Sequence, residues 1–549
     1  MSTTHLPREA AHRAASRPHG RDADPAERAS GTEPAEAATD FDVLIVGAGL
    51  SGIGAAHHLR QRCPWASFAI LESRATLGGT WDLFRYPGVR SDSDMFTLGY
   101  SFRPWHSDQA IAEGGTILDY IRDTAREADI ERTIRFHHRV TAANWDSATA
   151  RWQVEVLRGD GTDGQPRQAL RFTCRFLYMC SGYYDYEQGH APSWPGMESF
   201  RGRIVHPQHW PRDLDYAGKR VVVIGSGATA VTLVPSMARE AAHVTMLQRS
   251  PTYIVSMPAR DKLAARLRRW LPAGLAHRLV RVRNVLLTMS VYRFARRRPE
   301  AAKRFILRAA SRQLGPEFDV AKHLTPRYAP WDQRLCLVPN GDLFKAIRAG
   351  DASIATDEIE RFTPEGLLLK SGRMLEADLV VSATGLKVRM LGGATLSVDG
   401  RPVEFGEAVS YKGMMASGVP NLATSFGYIN ASWTLKAELI ALYVCRLLNH
   451  MRAHGYDSCT PTLDDAAMPL APAVELSSGY IQRAAALLPK QGPRNPWKSH
   501  QNYARDLALL RFGSLVDGAM RFARRPAQAG QAAAPAERHA ASEPAYERR

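Results

Sequence analysis

The sequence predicts an α/β protein in which one parallel-sheet domain is inserted into another, and three short stretches carry that prediction. The first is "FDVLIVGAGLSGIGAAHHL", from Phe41; the second is "KRVVVIGSGATAVTLV", from Lys219; the third is "ADLVVSATGL", from Ala377 to Leu386. Each contains an apolar run rich in β-branched residues, which reads as a buried parallel strand. The first two pass straight into a glycine turn and then into helical sequence.

In the first stretch Gly47, Gly49 and Gly52 stand at GxGxxG spacing. They serve a tight turn, a close backbone approach to a pyrophosphate and close helix–strand packing. The helix that follows offers amide donors and a favourable dipole to phosphates. Glu72, twenty residues past Gly52, ends the next apolar strand, "FAILES". A carboxylate there accepts from a ribose diol and repels a 2′-phosphate, so the site suits FAD or NAD rather than NADP.

The second stretch repeats the unit with Gly225, Gly227 and Ala230, the turn being completed by Ser226, Ala228 and Thr229. Its second strand, "HVTMLQRSP", ends in Arg249 and Ser250 where the first unit has Glu72. A guanidinium at that place clasps a 2′-phosphate, the alternative being an exposed surface arginine. The inversion of charge assigns FAD to the first unit and NADPH to the second. In the third stretch Thr384 and Gly385 form a turn able to approach a flavin. Its distance along the chain makes the FAD domain discontinuous. The fold class is thus two Rossmann-like dinucleotide-binding domains, for FAD and NADP, the NADP domain inserted in a discontinuous FAD domain.

The bulk composition is that of a soluble globular protein of two or three domains: 549 residues, 45% hydrophobic and 23% charged. Six cysteines form no CxxC pair and no metal-ligand cluster, so no metal is predicted and the thiols read as reduced. No secretory signal and no membrane-spanning run is evident, which predicts a cytoplasmic protein. Almost all of the net charge of +16 sits between Arg260 and Arg312, where sixteen Lys/Arg face two Asp/Glu. Arginines alternate there with apolar residues at helical spacing. That pattern suits a solvated helical insertion or an acidic membrane surface; no nucleic-acid-binding signature accompanies it.

Two longer patterns carry a resemblance. Phe200, Gly202, His206, Trp210 and Pro211 fit FxGxxxHxxxWP, and "GGTWDLFRYPGVRSD", from Gly78 to Asp92, fits [AG]GxW-x4-[FY]P[GM]-x3-D. Together they resemble the Baeyer–Villiger flavin monooxygenases over about residues 42–525. Segments such as "IRFHHRV", "PWDQRLCLVPNGDLF" and "NASWTLKAEL" look nearest to a branch that also oxygenates thioamide sulfur. Disulfide reductases of similar architecture need a redox cysteine pair that this chain lacks.

The resemblance implies an FAD-dependent, NADPH-consuming enzyme that inserts one oxygen atom of O2 into hydrophobic ketones and oxygenates thioethers or thioamides. It implies a catalytic role for Arg334, a permanent cation beside an anionic oxygen, and for Asp92, which would orient it; "SDSDMF" equally suits Asp92 as a helix cap. It places Ser51, Thr80, Trp81 and Val140 near FAD and Arg90 and the second turn near NADP, and counts Gly79, Asp82, Leu83, Ser91 and Asp92 among the cofactor-binding residues. Gln333 departs from the family's usual lysine, which leaves Arg249 as the main determinant for NADPH. Phe200, Gly202, His206 and Trp210 would govern the relative movement of the two domains.

The expected organisation is a disordered extension over 1–39, FAD-binding segments at 40–199 and 376–523, a fingerprint linker at 200–219, an NADP-binding domain at 220–375 carrying a basic helical insertion at 260–325, and a disordered tail over 524–549. Two other functions remain open on the residues: a heteroatom oxygenase without ketone activity, and a non-catalytic, membrane-docked flavoprotein.

Overall fold

The computed structural model describes residues 39–159 and 167–525. The segments expected to be disordered lie outside the described residues, apart from Thr39, Arg524 and Arg525.

Two sheets organise the chain. The nine-stranded one runs Arg401–Pro402, Thr395–Val398, His138–Asp146, Arg151–Arg158, Gln168–Met179, Asp40–Val46, Phe68–Leu71, Ile134–Arg135, with Leu422–Thr424 also paired to Gln168–Met179. Asp40–Val46 lies parallel between Phe68–Leu71 and the second half of Gln168–Met179. Its unbroken apolar run follows from burial on both faces. Val43 and Ile45 enter one core, while Leu44 and Val46 enter another. Strands from His138 to Met179 form an antiparallel meander.

The second sheet has five parallel strands, ordered Ala352–Thr356, His243–Gln248, Arg220–Ile224, Leu379–Ser382, Arg203–Val205. All of them fall between the two parts of the first sheet, which resumes at Thr395–Val398. The topology differs from the expected boundaries in two places. Leu379–Ser382 pairs along Arg220–Ile224, with Val380 opposite Val222, so a boundary at 376 comes too early. The Asp378 carboxylate reinforces that pairing by accepting from the Arg220 backbone N–H at 2.8 Å. Likewise Arg203–Val205, expected in a linker, is an edge strand of this sheet. The crossing between sheets is instead the antiparallel pair Tyr184–Gly189 and Leu386–Val388.

Four helices occupy the basic insertion: Lys262–Trp270, Ala273–Arg297, Pro299–Leu314 and Val320–Leu324. One arginine of this segment is not on the surface. Arg281 Nη2 donates to Glu438 at 2.7 Å, and Nη1 donates to the carbonyls of Phe96 and Gly99. Burial works to raise the Glu438 carboxyl, but Arg281 outweighs it and holds the group below its ordinary range. The pair pins the long helix Ala273–Arg297 to the helix Trp433–His454.

Gly52 shows how little room the first helix leaves. A Cβ there would stand 1.9 Å from the Gly47 carbonyl oxygen. Gly52→Ala is therefore expected to cost about 1–3 kcal/mol through overpacking against backbone, read as a lower midpoint in urea unfolding; an unchanged midpoint would contradict this packing.

Candidate active site

The first glycine turn opens onto a cavity of about 690 Å³. Gly47 holds φ +103°, and a Cβ there would strike the Cys180 carbonyl at 2.7 Å. At Gly49 a Cβ would meet only Gly79, at 3.6 Å, so this stretch of wall is bare backbone facing the cavity. Such a cradle fits a pyrophosphate beside the N-terminus of Leu50–Arg62. Glu72 lies at its end, buried, accepting from the N–H groups of Ala48 at 2.8 Å and Arg74 at 2.9 Å. Burial raises the Glu72 carboxyl above its ordinary range, against those backbone donors.

The second unit reaches the same cavity through Ala228, Thr229 and Thr232, at the start of the helix Ala228–Met237. Gly225 holds φ +138° against the Ala383 carbonyl, while Gly227 has open space where a Cβ would stand. The Ser226 hydroxyl donates to the Ser250 carbonyl at 3.1 Å, tying the turn to the next strand end. Arg249 and Ser250 are exposed beside it.

Between the two units stands an ion pair. Arg334 Nε lies 2.9 Å from Asp92 Oδ2, and Nη2 donates to Oδ1 at 2.9 Å, a bidentate arrangement. Both residues line the cavity. Burial works against the Arg334 charge, but Asp92 opposite outweighs it and pushes its pKa up, so the cation persists at any working pH. The cap role open to Asp92 belongs to Asp94, whose carboxylate accepts from the Thr97 N–H at 3.1 Å.

Aromatic rings close the cavity. Tyr183 stacks on Trp433 with centroids 5.5 Å apart, and its hydroxyl lies 2.7 Å from that of Tyr184. Trp433 Nε1 donates to Ser51 Oγ at 2.8 Å, and Tyr186 pairs with Thr80 through hydroxyls 3.3 Å apart. Burial pushes the Tyr86 phenol up to about 12.

Residues 90–274 match the model of the flavin-binding monooxygenase-like family, and residues 45–110 match an NAD(P)-binding Rossmann-like domain. The FAD-containing monooxygenase EthA of Mycobacterium tuberculosis is 54% identical over 491 residues, covering 89% of this chain and 99% of that protein. A probable FAD-binding monooxygenase, AlmA of Acinetobacter baylyi, is 48% identical over 484 residues, covering 88% of this chain and 96% of its own length.

The chain belongs to the FAD-containing, flavin-binding monooxygenases. Its fold is also that of an oxidised steroid monooxygenase solved with NADP, with a TM-score of 0.68 at 22% identity over 88% of this chain and all of that one.

The monooxygenase departs from its sequence reading at several positions. Asp82 is buried away from the cavity, held by Arg74 at 2.6 Å, Arg85 at 2.5 Å and the Thr76 hydroxyl at 2.6 Å. It braces the turn from outside the cavity lining. Gly52 and Ala230 are packing positions, as their third place in each motif demands. Thr384 and Gly385 do not face the cavity: Thr384 donates to the His190 carbonyl at 2.5 Å, and the Gly385 carbonyl accepts from the His190 N–H at 3.0 Å. They lie past a strand of the second sheet, and so clasp the crossing instead.

Gly79, Thr80, Trp81, Leu83, Ser91 and Val140 do line the cavity. So does Arg90, paired with Asp342 at 2.5 Å. Phe200 packs on Phe362, and a Cβ at Gly202 would stand 2.5 Å from the Asp378 carbonyl. His206 fills the space over Gly189, and Trp210 packs on the core of the five-stranded sheet. Sequence reasoning passed over the tyrosine wall, although "SGYYDYEQG" places three aromatics directly after a buried strand.

The raised Glu72 carboxyl binds its proton more readily folded than unfolded. Without bound nucleotide, stability is therefore expected to fall as pH rises from the ordinary carboxylate range through the folded pKa. Urea unfolding across that window should show the slope in the native chain and lose it in Glu72→Gln.

Proposed function

We propose that this monooxygenase is of the Baeyer–Villiger type: FAD-dependent and NADPH-consuming, turning hydrophobic ketones into esters or lactones, with oxygenation of thioethers or thioamides beside it. The observation that carries this reading is the bidentate Arg334–Asp92 pair on the wall of the cavity that both nucleotide turns reach.

Gly47, Gly49, Ser51, Glu72, Thr80 and Trp81 would hold FAD, and Ala228, Thr229 and Arg249 would hold NADP, Arg249 reaching the 2′-phosphate. Bound flavin, reduced by NADPH, supplies activated O2, of which one atom passes to substrate and the other leaves as water. Arg334 would hold negative charge on oxygen beside the aromatic wall, where a fixed cation acts more strongly than in bulk water. Asp92 keeps the guanidinium aimed into the cavity. His206 and Trp210 brace the crossing to the second sheet, a position from which they would control how the two units move. The alternative is a heteroatom oxygenase without ketone activity.

Product analysis by mass spectrometry separates these readings. Holoenzyme with NADPH, O2 and a panel of linear, cyclic and aryl ketones beside a thioether is expected to give esters or lactones. Arg334→Ala is expected to lower that yield about 100-fold or more. Sulfoxide as the single product would move the enzyme to the heteroatom class.

The basic insertion would add peripheral contact of a cytoplasmic enzyme with an anionic membrane. No helix among the described residues is long and apolar enough to cross one. The support is an exposed face on which Leu275, Leu279, Val282 and Leu286 recur at i, i+4, i+7 and i+11 amid the sixteen basic residues. Co-sedimentation with phosphatidylglycerol vesicles is expected at low salt and lost at high salt; binding equal to neutral vesicles would refute it.

A further inference from the structure

A second cavity, of about 550 Å³, lies between the long helix Ala273–Arg297 and the segments around Tyr428–Leu435 and Gln501–Arg505. Its size falls within the roughly 300–1,000 Å³ of small-molecule sites. Its lining is asymmetric in charge: four arginines, Arg293, Arg296, Arg297 and Arg505, and no aspartate or glutamate. Arg296 pairs with Asp332 at 2.6 Å, a residue outside the lining. Arg293, Arg297 and Arg505 are exposed and, among the described residues, have no carboxylate within ion-pair distance. Val285, Leu286, Met289 and Leu435 supply apolar wall.

This cavity adjoins the first. Tyr428 and Ala431 line both. Tyr428 is a fixed partition: its hydroxyl donates to Asp506 at 2.6 Å, and Asp506 is paired with the buried Lys436 at 2.6 Å. A molecule spanning the two cavities would pass Tyr428 toward the chamber of Arg334.

Like charges held together without a counter-ion repel, and an anion relieves them. Apolar wall alongside selects a hydrocarbon body. We propose that the second cavity binds an amphiphilic anion. Its carboxylate or similar head is held by Arg293 and Arg297, and its apolar chain lies on Val285, Met289 and Leu435 toward Tyr428. On the ketone-oxidising reading, on which this assignment of substrate class rests, the substrate is an aliphatic chain with an anionic end and its reacting carbonyl some carbons away. The binding site itself needs no turnover to be tested.

The probe is dodecanoate, titrated calorimetrically into FAD-loaded full-length protein without NADPH, beside dodecanol and dodecyltrimethylammonium, all below micelle-forming concentrations. One saturable dodecanoate site is expected, at least tenfold tighter than dodecanol, with no saturable binding of the cation. Arg293→Ala/Arg297→Ala should weaken dodecanoate at least tenfold, and Met289→Trp, which fills the cavity, should abolish binding. The flavin absorbance spectrum reports that each variant is folded. Arg269→Ala/Arg278→Ala, on the same basic segment but outside this lining, should leave dodecanoate affinity unchanged. Equal affinity for dodecanol, or an equal loss from both arginine pairs, would overturn the proposal. Retained dodecanoate binding in an enzyme that oxidises no ketone would leave the site standing and refute the reaction class alone.

Discussion

The Arg334–Asp92 ion pair is the interaction on which the architecture converges. Its partners stand 242 positions apart in the chain. Asp92 closes a turn that follows the first nucleotide unit, and Arg334 lies just before Cys336–Pro339, after the whole helical insertion. Two bonds of 2.9 Å join these segments at the cavity wall. Both side chains are half-buried, so the pair stays in contact with the cavity, and Asp92 fixes the direction of the charge.

Around the pair, polar groups are committed before any ligand arrives. Glu72 is already engaged by two backbone N–H groups, Arg90 by Asp342, and Ser51 by Trp433. A cavity whose walls are pre-organised spends less binding energy on ordering itself. The cost is a buried carboxyl at Glu72 held against its desolvation. The insertion follows the same logic from the opposite direction. Arg281 is buried and satisfied by Glu438 and carbonyls, while most of its basic neighbours keep their charge in solvent. One arginine anchors the helix; the others are left for what the helix meets.

The fingerprint around His206 shows how a motif is legible without its role being so. The spacing of Phe200, Gly202, His206 and Trp210 is a sequence fact, but what each position packs against is not: Phe362 and the Asp378 carbonyl lie far along the chain, Gly189 lies just upstream, and Trp210 meets the core of the five-stranded sheet. Thr384 and Gly385 illustrate the reverse. Their strand was legible, yet the sheet it joins was not, because a parallel strand buried on both faces has the same apolar pattern in either sheet. Pairing with Arg220–Ile224 is decided by the register of Asp378 and Arg220, 158 residues apart.

By itself the sequence determined the two nucleotide units, the order in which they are nested, the opposed charges of Glu72 and Arg249, and the candidate pair Arg334 and Asp92. The units and their charges are written in local spacing: a turn needs its glycines within six residues, and a strand needs its apolar run; Arg334 and Asp92 came instead from the motifs shared with the family the chain resembles. The tertiary structure alone decided that Asp82 braces instead of lining the cavity, that Asp94 and not Asp92 caps a helix, and that Tyr183, Tyr184 and Trp433 form one wall. It also decided that four arginines border a second cavity with no acid among them. Each of these depends on which distant segments meet, and contact across hundreds of residues leaves no period or spacing in the chain to read.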